Sequence, residues 1–146
     1  CGLGKTGRAS AEQEVSELGI GERVDLLPWL SDDDFAANFA GAAAILFPSD
    51  FEGFGLPAIE ALRLGLPLVV SSDPGLMEVT AGHAVVTEDD SPESLAAAIK
   101  QALELTTEQL AAGKEHARAF TWERMARQAR RAFVPDGQPQ SPVSSR

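Results

Sequence analysis

The sequence predicts an α/β fold with a Rossmann-like, doubly wound and mostly parallel sheet flanked by helices. Short apolar runs bounded by proline or glycine alternate with longer segments of helical periodicity through most of the chain. Uninterrupted apolar runs suit strands that are buried on both faces, as in parallel sheets. Their alternation with helices is typical of βαβ units.

Composition and charge restrict the class of protein. The chain has 146 residues, 44% of them hydrophobic and 23% charged, which is ordinary for one globular domain. Lys plus Arg total 12 against 22 for Asp plus Glu, so the formal net charge is −10 and no overall field attracts nucleic acid. The one cysteine, Cys1, excludes an internal disulfide, and no apolar run is long enough to span a membrane.

The first part of the chain predicts two helices with a strand between them. The predicted elements are, in order, a glycine-rich, non-helical start over 1–8, a helix over 9–18, a strand over 23–27 and a helix over 31–40. Gly19 ends the first helix, and Pro28 ends the strand. Ser31 is a favoured N-cap, and the acids Asp32–Asp34 complement the dipole of the second helix.

The middle of the chain alternates strands with helices. The predicted elements are a strand over 43–47, a helix over 57–64, a strand over 68–70, a short helix over 76–80 and a strand over 84–87. Pro57 suits the first turn of its helix, and Gly65 followed by Pro67 is a typical C-terminal stop. We expect the first of these strands to be buried on both faces and Asp73–Gly75 to form a turn.

The last part predicts three helices and a tail. The helices are predicted over 92–105, 107–120 and 121–133, within a domain over 1–134, and a polar, proline-containing tail follows over 135–146. The final two helices carry an excess of cations: Lys114, Arg118, Arg124, Arg127, Arg130 and Arg131. This surface is either an ordinary solvated face or one that docks on an acidic domain or an anionic membrane. We expect a cytoplasmic protein, peripherally bound at the inner face of the membrane under the second interpretation.

The loop after the first strand of the middle part carries the strongest pattern for ligand binding. Open α/β sheets bind ligands at the carboxyl ends of their strands. Gly53 and Gly55 lack Cβ atoms on either side of Phe54, so a ligand can approach the main chain closely. The following helix supplies free N–H groups and a partial positive charge for a diphosphate. Glu52 and Glu60 bracket this helix start, and carboxylates accept hydrogen bonds from the hydroxyls of sugars and riboses.

The pattern by itself leaves several interpretations open. A Gly-Phe-Gly turn before a helix is common, and an acid early in a helix often serves only the helix dipole. A nucleotide sugar fits the functional interpretation, because its diphosphate lies between two hydroxyl-bearing groups. Glu52 and Glu60 would also suit the acid and base of a glycosidase. His83 and His116 have no partners at metal-ligand spacing and are predicted to lie on the surface, so no metal site is expected.

The segment Glu52–Glu60 resembles the Glu-x7-Glu signature of the group 1 glycosyltransferases, the retaining family 4 enzymes of the GT-B fold. Three further segments look like parts of that family that follow the signature: Ala61–Ser71, Leu76–Val79 and Phe120–Glu123. Met77 departs from the family pattern, because proline is usual there. The resemblance covers roughly residues 1–133 and implies a partial C-terminal, nucleotide-sugar-binding domain.

The resemblance implies a role for each matching residue. Glu52 is the implied catalytic residue, in contact with hydroxyls of the donor sugar, and Glu60 would bind the ribose hydroxyls. The sugar and diphosphate would contact the main-chain amides of Gly53, Phe54, Gly55 and Leu56. The nucleotide base would be held by Pro28, Trp29 and Leu30, with Pro28 where glycine is common. The family neutralises the diphosphate with an Arg and a Lys that would precede Cys1, and Lys5 and Arg8 do not occupy those positions. The acceptor-binding N-terminal domain of the family would also precede Cys1.

The predicted function is donor binding within a retaining glycosyltransferase that transfers a hexose from a nucleoside diphosphate sugar to a sugar or lipid-linked acceptor. Mannosyl transfer from GDP-mannose is the narrower hypothesis, because the segment Leu76–Val86, which leads into the acidic loop Glu88–Asp90, resembles mannosyl- and rhamnosyl-type members. No cofactor other than the donor substrate is expected, and this chain by itself is expected not to turn over. The alternatives are a non-catalytic nucleotide-sugar-binding module and a flavodoxin-like signalling domain.

Overall fold

The computed structural model describes residues 5–133, which belong to two compact units. The first unit is Cys1–Gly41 and the second is Ala42–Arg146. The predicted tail over 135–146 lies outside the described residues. None of the helices within 5–133 combines the length and the apolar character that crossing a membrane requires.

Two helices and a 3-10 turn make up the described part of the first unit. They are α1 Lys5–Glu17, the turn Gly21–Arg23 and α2 Asp32–Ala40. The start of α2 confirms the predicted cap, because the Ser31 hydroxyl accepts a hydrogen bond from the backbone N–H of Asp34 at 3.2 Å. Phe35 and Phe39 lie one turn apart on α2, with ring centroids separated by 5.3 Å.

Two predictions for the first unit are wrong. The glycine-rich start is helical from Lys5 onward, because an ion pair between Arg8 and Glu12, 2.8 Å long and one turn apart, supports this end of α1. A single glycine inside a helix, Gly7, costs only about 1 kcal/mol and is tolerated. The segment 23–27 forms no strand among the described residues, because a strand persists only beside a hydrogen-bonded neighbour and the described sheet pairs later segments.

A three-stranded parallel sheet with helices around it forms the second unit. In chain order the elements are β1 Ile45–Phe47, α3 Leu56–Leu64, β2 Leu68–Val70, α4 Pro74–Thr80, β3 Val85–Val86, α5 Pro92–Leu103, α6 Thr107–Ala117 and α7 Trp122–Phe133. The strand order is β1-β2-β3, with Leu46 opposite Val69 and Val70 opposite Val86. This arrangement confirms the predicted α/β class, and the strands and helices of this unit lie where the sequence places them, within a few residues at their ends.

The central strand β2 is the core of the second unit. All three of its residues are fully buried. Val69 packs with Val85 of β3 and with Ala98 and Ala102 of α5. Successive side chains of a strand point to opposite faces, so Leu68 and Val70 are buried on the other side of the sheet. Both faces of β2 are therefore covered, as a doubly wound sheet requires.

The first strand departs from its prediction. The apolar run 43–47 is predicted to be buried on both faces, but only 45–47 are extended and Leu46 is 41% exposed. The reason is position: β1 has a neighbouring strand on one side only within the described sheet, whereas β2 has one on each side. An apolar sequence therefore does not distinguish this edge strand from the central one.

The helices of the second unit begin and end at residues that favour helix termini. Gly65 ends α3 in the left-handed conformation, with φ +75°, and its N–H donates to the carbonyls of Ala61 and Leu62. The Ser91 hydroxyl caps α5 by accepting from the N–H of Ser94. Thr106 and Gln109 form a capping box at the start of α6.

The last helix has two different faces. At 100° per residue, Trp122, Met125 and Phe133 fall on one side of α7, and all three are exposed. The opposite side carries most of the charge, with Arg124, Arg127, Arg130 and Arg131 against one acid, Glu123. Four of the six cations of the predicted basic surface are therefore on one side of an amphipathic helix, whereas Lys114 and Arg118 belong to α6 and its C-cap.

Candidate functional site

The loops 48–55 and 71–73 lie together at the carboxyl edge of the sheet, after β1 and β2. The hydroxyl of Ser71 donates a hydrogen bond to the backbone carbonyl of Ser49. Ser71 is buried directly after β2, so this bond joins the two loops beneath the surface. Parallel strands that end side by side thus hold both loops at one place, which is where open α/β sheets bind ligands.

Glu52 is oriented by this joined pair of loops. Its Oε1 accepts a hydrogen bond of 2.9 Å from the Ser49 hydroxyl, and the side chain is half-buried. Within the described residues 5–133 no group donates to its second oxygen, Oε2. The carboxylate is therefore fixed on one side and free to accept a hydroxyl on the other.

The first turn of α4 supports the main chain of Glu52. A Cβ at Gly75 would lie 2.7 Å from the Glu52 carbonyl oxygen and 3.1 Å from Oδ1 of Asp73. Asp73 is the N-cap of α4, since its Oδ1 accepts from the N–H of Leu76 at 3.0 Å. The prediction of a turn over Asp73–Gly75 is therefore wrong, because the cap and Pro74 extend the helix through this segment.

The two glycines of the loop, Gly53 and Gly55, lie in different surroundings. Gly55 is the N-cap of α3 in the left-handed region, with φ +79°, and a Cβ there would lie 2.6 Å from Cδ2 of Leu76. The space beside Gly55 is thus filled by the core, and this glycine is needed for conformation and packing rather than for ligand approach. Gly53 has nothing within 4 Å of a built Cβ, which is consistent with a ligand approaching there.

Four consecutive backbone N–H groups at the start of α3 are unpaired. In the part of the chain that the structure describes, no carbonyl or side chain accepts from the amides of residues 53–56. The carbonyl of Gly55 accepts from Ala58 and Ile59, so the helix ladder begins only after these amides. The first turn of α3 also contains no acid that would compete for them. Such a set of donors at a helix N-terminus is suited to an anion.

Glu60 lies on the solvent side of α3, one turn after its first residue. The opposite side of the helix is buried, with Ala58, Ile59, Ala61 and Leu62 in the core. Glu60 itself is exposed, and no group within 5–133 pairs with it. Both acids thus belong to the same segment, Glu52 before the helix start and Glu60 beside it, and neither is sealed beneath apolar side chains.

Pro28, Trp29 and Leu30 belong to the first unit, whereas the loop and both acids belong to the second. Trp29 is 84% exposed, so it does not serve as packing within its own unit. A role of this segment in base binding remains a prediction.

The aromatic rings of Phe54, His83 and His116 lie near the C-terminal end of α6. The Phe54 ring packs edge-to-face on Phe120, with centroids 5.9 Å apart. His83 and His116 stack with centroids 5.0 Å apart, and Nε2 of His116 is 2.9 Å from the carbonyl oxygen of Val79. The prediction that these histidines are free surface residues is wrong, because each is half-buried against the other.

The described carboxyl groups with a displaced pKa lie outside this loop. Hydrogen bonds from the side chain and backbone of Ser91 lower the pKa of Asp89, in the segment after β3. The pKa values of Glu108 and Glu123 are lowered mainly by backbone N–H groups at helix starts. Within residues 5–133 no cluster of three or more His, Cys, Asp or Glu could hold a metal ion.

Sequence reasoning missed the residues that support the loop. Ser49, Ser71 and Gly75 are absent from the predicted site, although each orients Glu52 or its loop. A signal was available: Ser71 directly follows the apolar strand β2, and Ser49 follows the apolar strand β1 after one proline. Polar residues in that position commonly belong to the ligand-binding edge of a parallel sheet.

The chain resembles known proteins in sequence. A family model described as "Glycosyl transferases group 1" matches residues 1–120. The O-antigen chain mannosyltransferase B of Escherichia coli is 33% identical over 113 residues, which cover 73% of this chain and 29% of that protein. The MMP alpha-(1->4)-mannosyltransferase of Mycolicibacterium hassiacum is 35% identical over 125 residues, covering 80% of this chain and 30% of that protein. The chain therefore spans less than a third of the length of these relatives.

Solved structures resemble it as well. Sucrose-phosphate synthase from Thermosynechococcus elongatus superposes with a TM-score of 0.74 at 28% identity, over 87% of this chain and 34% of that one. WaaG, a glycosyltransferase involved in lipopolysaccharide biosynthesis, gives a TM-score of 0.59 at 24% identity over 89% of this chain and 36% of that one, which shows the fold alone. The parallel sheet and these likenesses define a Rossmann-like fold of the GT-B glycosyltransferase class. The chain belongs to the group 1 glycosyltransferases, which confirms the family that its signature implies.

Proposed function

We propose that this chain binds the donor in a retaining glycosyltransferase that transfers a hexose from a nucleoside diphosphate sugar, with mannose as the hexose. The observation that carries the proposal is the run of unpaired N–H groups at 53–56, between a carboxylate held by Ser49 and an exposed acid on α3. The names of two curated relatives, both mannosyltransferases, support the choice of sugar.

Each part of the segment takes one part of the donor. The amides of 53–56 and the dipole of α3 hold the diphosphate without any net positive charge on the chain. Glu52, whose Oε2 accepts no hydrogen bond within residues 5–133, accepts hydrogen bonds from hydroxyls of the sugar, and Glu60 accepts them from the ribose hydroxyls. Pro28, Trp29 and Leu30 are the proposed contacts of the base.

The chemistry proposed for the whole protein requires stabilisation of a leaving group. The bond between the anomeric carbon and a diphosphate oxygen breaks, and its electron pair leaves on the diphosphate. The acceptor hydroxyl forms the new bond on the same face of the sugar, and its proton passes to the departing diphosphate oxygen. Fixed N–H donors at the diphosphate lower the barrier because the negative charge develops there. The acceptor, a sugar or a lipid-linked sugar, is proposed to bind to a part of the protein outside these residues.

Nucleotide titration tests the proposal. In a thermal-shift and calorimetric screen, the full chain should bind GDP or UDP and the corresponding sugar nucleotides, with GDP-mannose binding more tightly than UDP-glucose. A ligand at 100 times its Kd stabilises a protein by about 2.7 kcal/mol, which raises the melting temperature measurably. Glu104→Ala removes an exposed acid at the end of α5 and should leave the titration unchanged.

The outcomes are distinguishable. Absence of binding to every nucleotide would contradict the proposal. Binding without sugar transfer by the complete protein would instead support the alternative of a non-catalytic nucleotide-sugar-binding module. Preference for a uridine donor would retain donor binding and overturn mannosyl transfer from GDP-mannose.

We also propose that α7 binds peripherally to an anionic membrane. Its exposed apolar side contains Trp122, Met125 and Phe133, and arginines occupy the opposite side, which is the pattern of an interfacial helix. The full chain should co-sediment with vesicles of phosphatidylglycerol and phosphatidylcholine but not with phosphatidylcholine alone. Arg127→Glu should reduce the bound fraction, whereas Arg23→Glu, in the first unit, should not. Equal sedimentation with both vesicle types, or with neither, would contradict the proposal.

A further inference from the structure

Phe54 is the side chain that connects the proposed diphosphate loop to another part of the second unit. Glycines on both sides of it, Gly53 and Gly55, contribute no side chain, and the amides of 53–56 have no partners within the described residues. The Phe54 ring is 44% exposed and packs edge-to-face on Phe120, at a centroid distance of 5.9 Å and an interplanar angle of 67°. This geometry is favourable for an aromatic pair.

Phe120 is itself held by its surroundings. Its ring packs on His116 at 5.3 Å and 67°, and His116 is bonded to the carbonyl of Val79 at the end of α4. The carbonyl of Phe120 accepts from the guanidinium of Arg63, on α3, at 3.5 Å. Phe120 is therefore contacted directly from α3 and α6, and His116 links it to the end of α4.

We infer that Phe120, supported by His116, is a positioning residue that holds Phe54 and so keeps the amides of 53–56 directed at the diphosphate. This inference rests on the proposed function. Before Gly53 the loop is restrained by the Ser71–Ser49 and Ser49–Glu52 hydrogen bonds and by the close approach of Gly75 to the Glu52 carbonyl. After Gly53 it is restrained by the packing of Gly55 on Leu76. Phe54 lies between these restraints, next to Gly53, where an added Cβ would have no neighbour within 4 Å among the described residues. Loss of the ring contact would let these amides sample many orientations. Binding of the diphosphate would then have to order the amides, which costs free energy and lowers the affinity.

The test uses Phe120→Leu in the full chain, with two readouts. Backbone order parameters from 15N relaxation report the loop without ligand, and those of residues 53–55 should fall from about 0.85 towards 0.6 or below. The affinity for GDP should fall by about twofold to tenfold, the range that an aromatic pair corresponds to. Phe120→Tyr keeps the ring and should restore both values.

A matched control separates positioning from general destabilisation. Ile99→Ala removes a partly buried side chain that packs on the core cluster of α5, away from the loop. It should lower the free energy of unfolding without changing the order parameters of 53–55 or the GDP affinity. Phe54→Leu, which removes the other ring, should reproduce the effects of Phe120→Leu and serves in its place if that variant does not fold.

The inference and the proposed function fail separately. If the parent chain binds no nucleotide, the proposed function fails, and the order parameters alone decide whether Phe120 orders the loop. Unchanged order parameters in both leucine variants would overturn the inference. So would a disordered loop with undiminished GDP affinity, because the ring contact would then not serve the diphosphate.

Discussion

Replacing Glu60 with alanine should weaken the binding of GDP and UDP by about 10- to 100-fold. The carboxylate is exposed on the outer side of α3, where it accepts hydrogen bonds from the ribose hydroxyls in the proposed complex. A hydrogen bond to a charged group contributes about 1.5–3 kcal/mol, and about 1.4 kcal/mol corresponds to a tenfold change in Kd. Isothermal titration of the full chain measures this loss directly.

Inorganic pyrophosphate is the internal control for this variant. It has no ribose, so its affinity for Glu60→Ala should equal its affinity for the parent chain. Glu60→Gln keeps the size and one acceptor oxygen and should bind GDP with intermediate affinity. An equal loss for pyrophosphate and GDP would contradict the ribose role and would indicate that Glu60 acts on the diphosphate.

Replacing Gly55 with alanine should destabilise the protein by about 2–5 kcal/mol. The left-handed φ of +79° costs a residue with a Cβ about 1–2 kcal/mol. The new methyl group would lie 2.6 Å from Cδ2 of Leu76, a fully buried side chain, and such overpacking costs about 1–3 kcal/mol. Urea denaturation, read as the free energy of unfolding, measures the sum.

Gly53→Ala is the matched control, two residues away in the same loop. Nothing lies within 4 Å of its built Cβ, so the free energy of unfolding should remain within about 0.5 kcal/mol of the parent value. Equal effects of the two substitutions would contradict the role of the Gly55–Leu76 contact. A Gly55→Ala chain that does not fold, beside a Gly53→Ala chain that does, would agree with it.

Local sequence signals were sufficient for most helices and strands of the second unit. The apolar run Leu68–Val70 between Pro67 and Ser71 is a central strand, and Gly65 stops the helix before it. Ser91 starts α5 by accepting a hydrogen bond from a residue three positions later. Such elements are predictable because the residues that define them are neighbours in the chain.

Predictions that required knowledge of distant neighbours were less successful. The segment 23–27 has the composition of a strand but no strand beside it among the described residues. Leu46 has the same apolar character as Val69, yet one is exposed and the other is at the centre of the sheet. Strand pairing and edge position depend on residues far away in sequence, which periodicity does not report.

The same distinction between local and distant neighbours applies to the predictions for the site. Glu52, Glu60 and the glycines between them are contiguous, so their spacing and their family resemblance identify the segment. The supporting contacts join residues that are far apart: Ser49 with Ser71, and Phe54 with Phe120. The contacts of His116 were also not predictable from the local sequence, because its partner, the carbonyl of Val79 at the end of α4, is separated from it by a strand and a helix.

The contact between Gly75 and the Glu52 carbonyl has a consequence for recognising active homologues. Position 75 lies outside the Glu-x7-Glu signature, yet a larger residue there would collide with the backbone that carries the first signature acid. A homologue could retain both glutamates of the signature while its first glutamate is displaced from the position that Glu52 has here. Under the role proposed for Glu52, searches that score the signature alone would include proteins with a displaced first glutamate, and inspection of this downstream glycine would separate them.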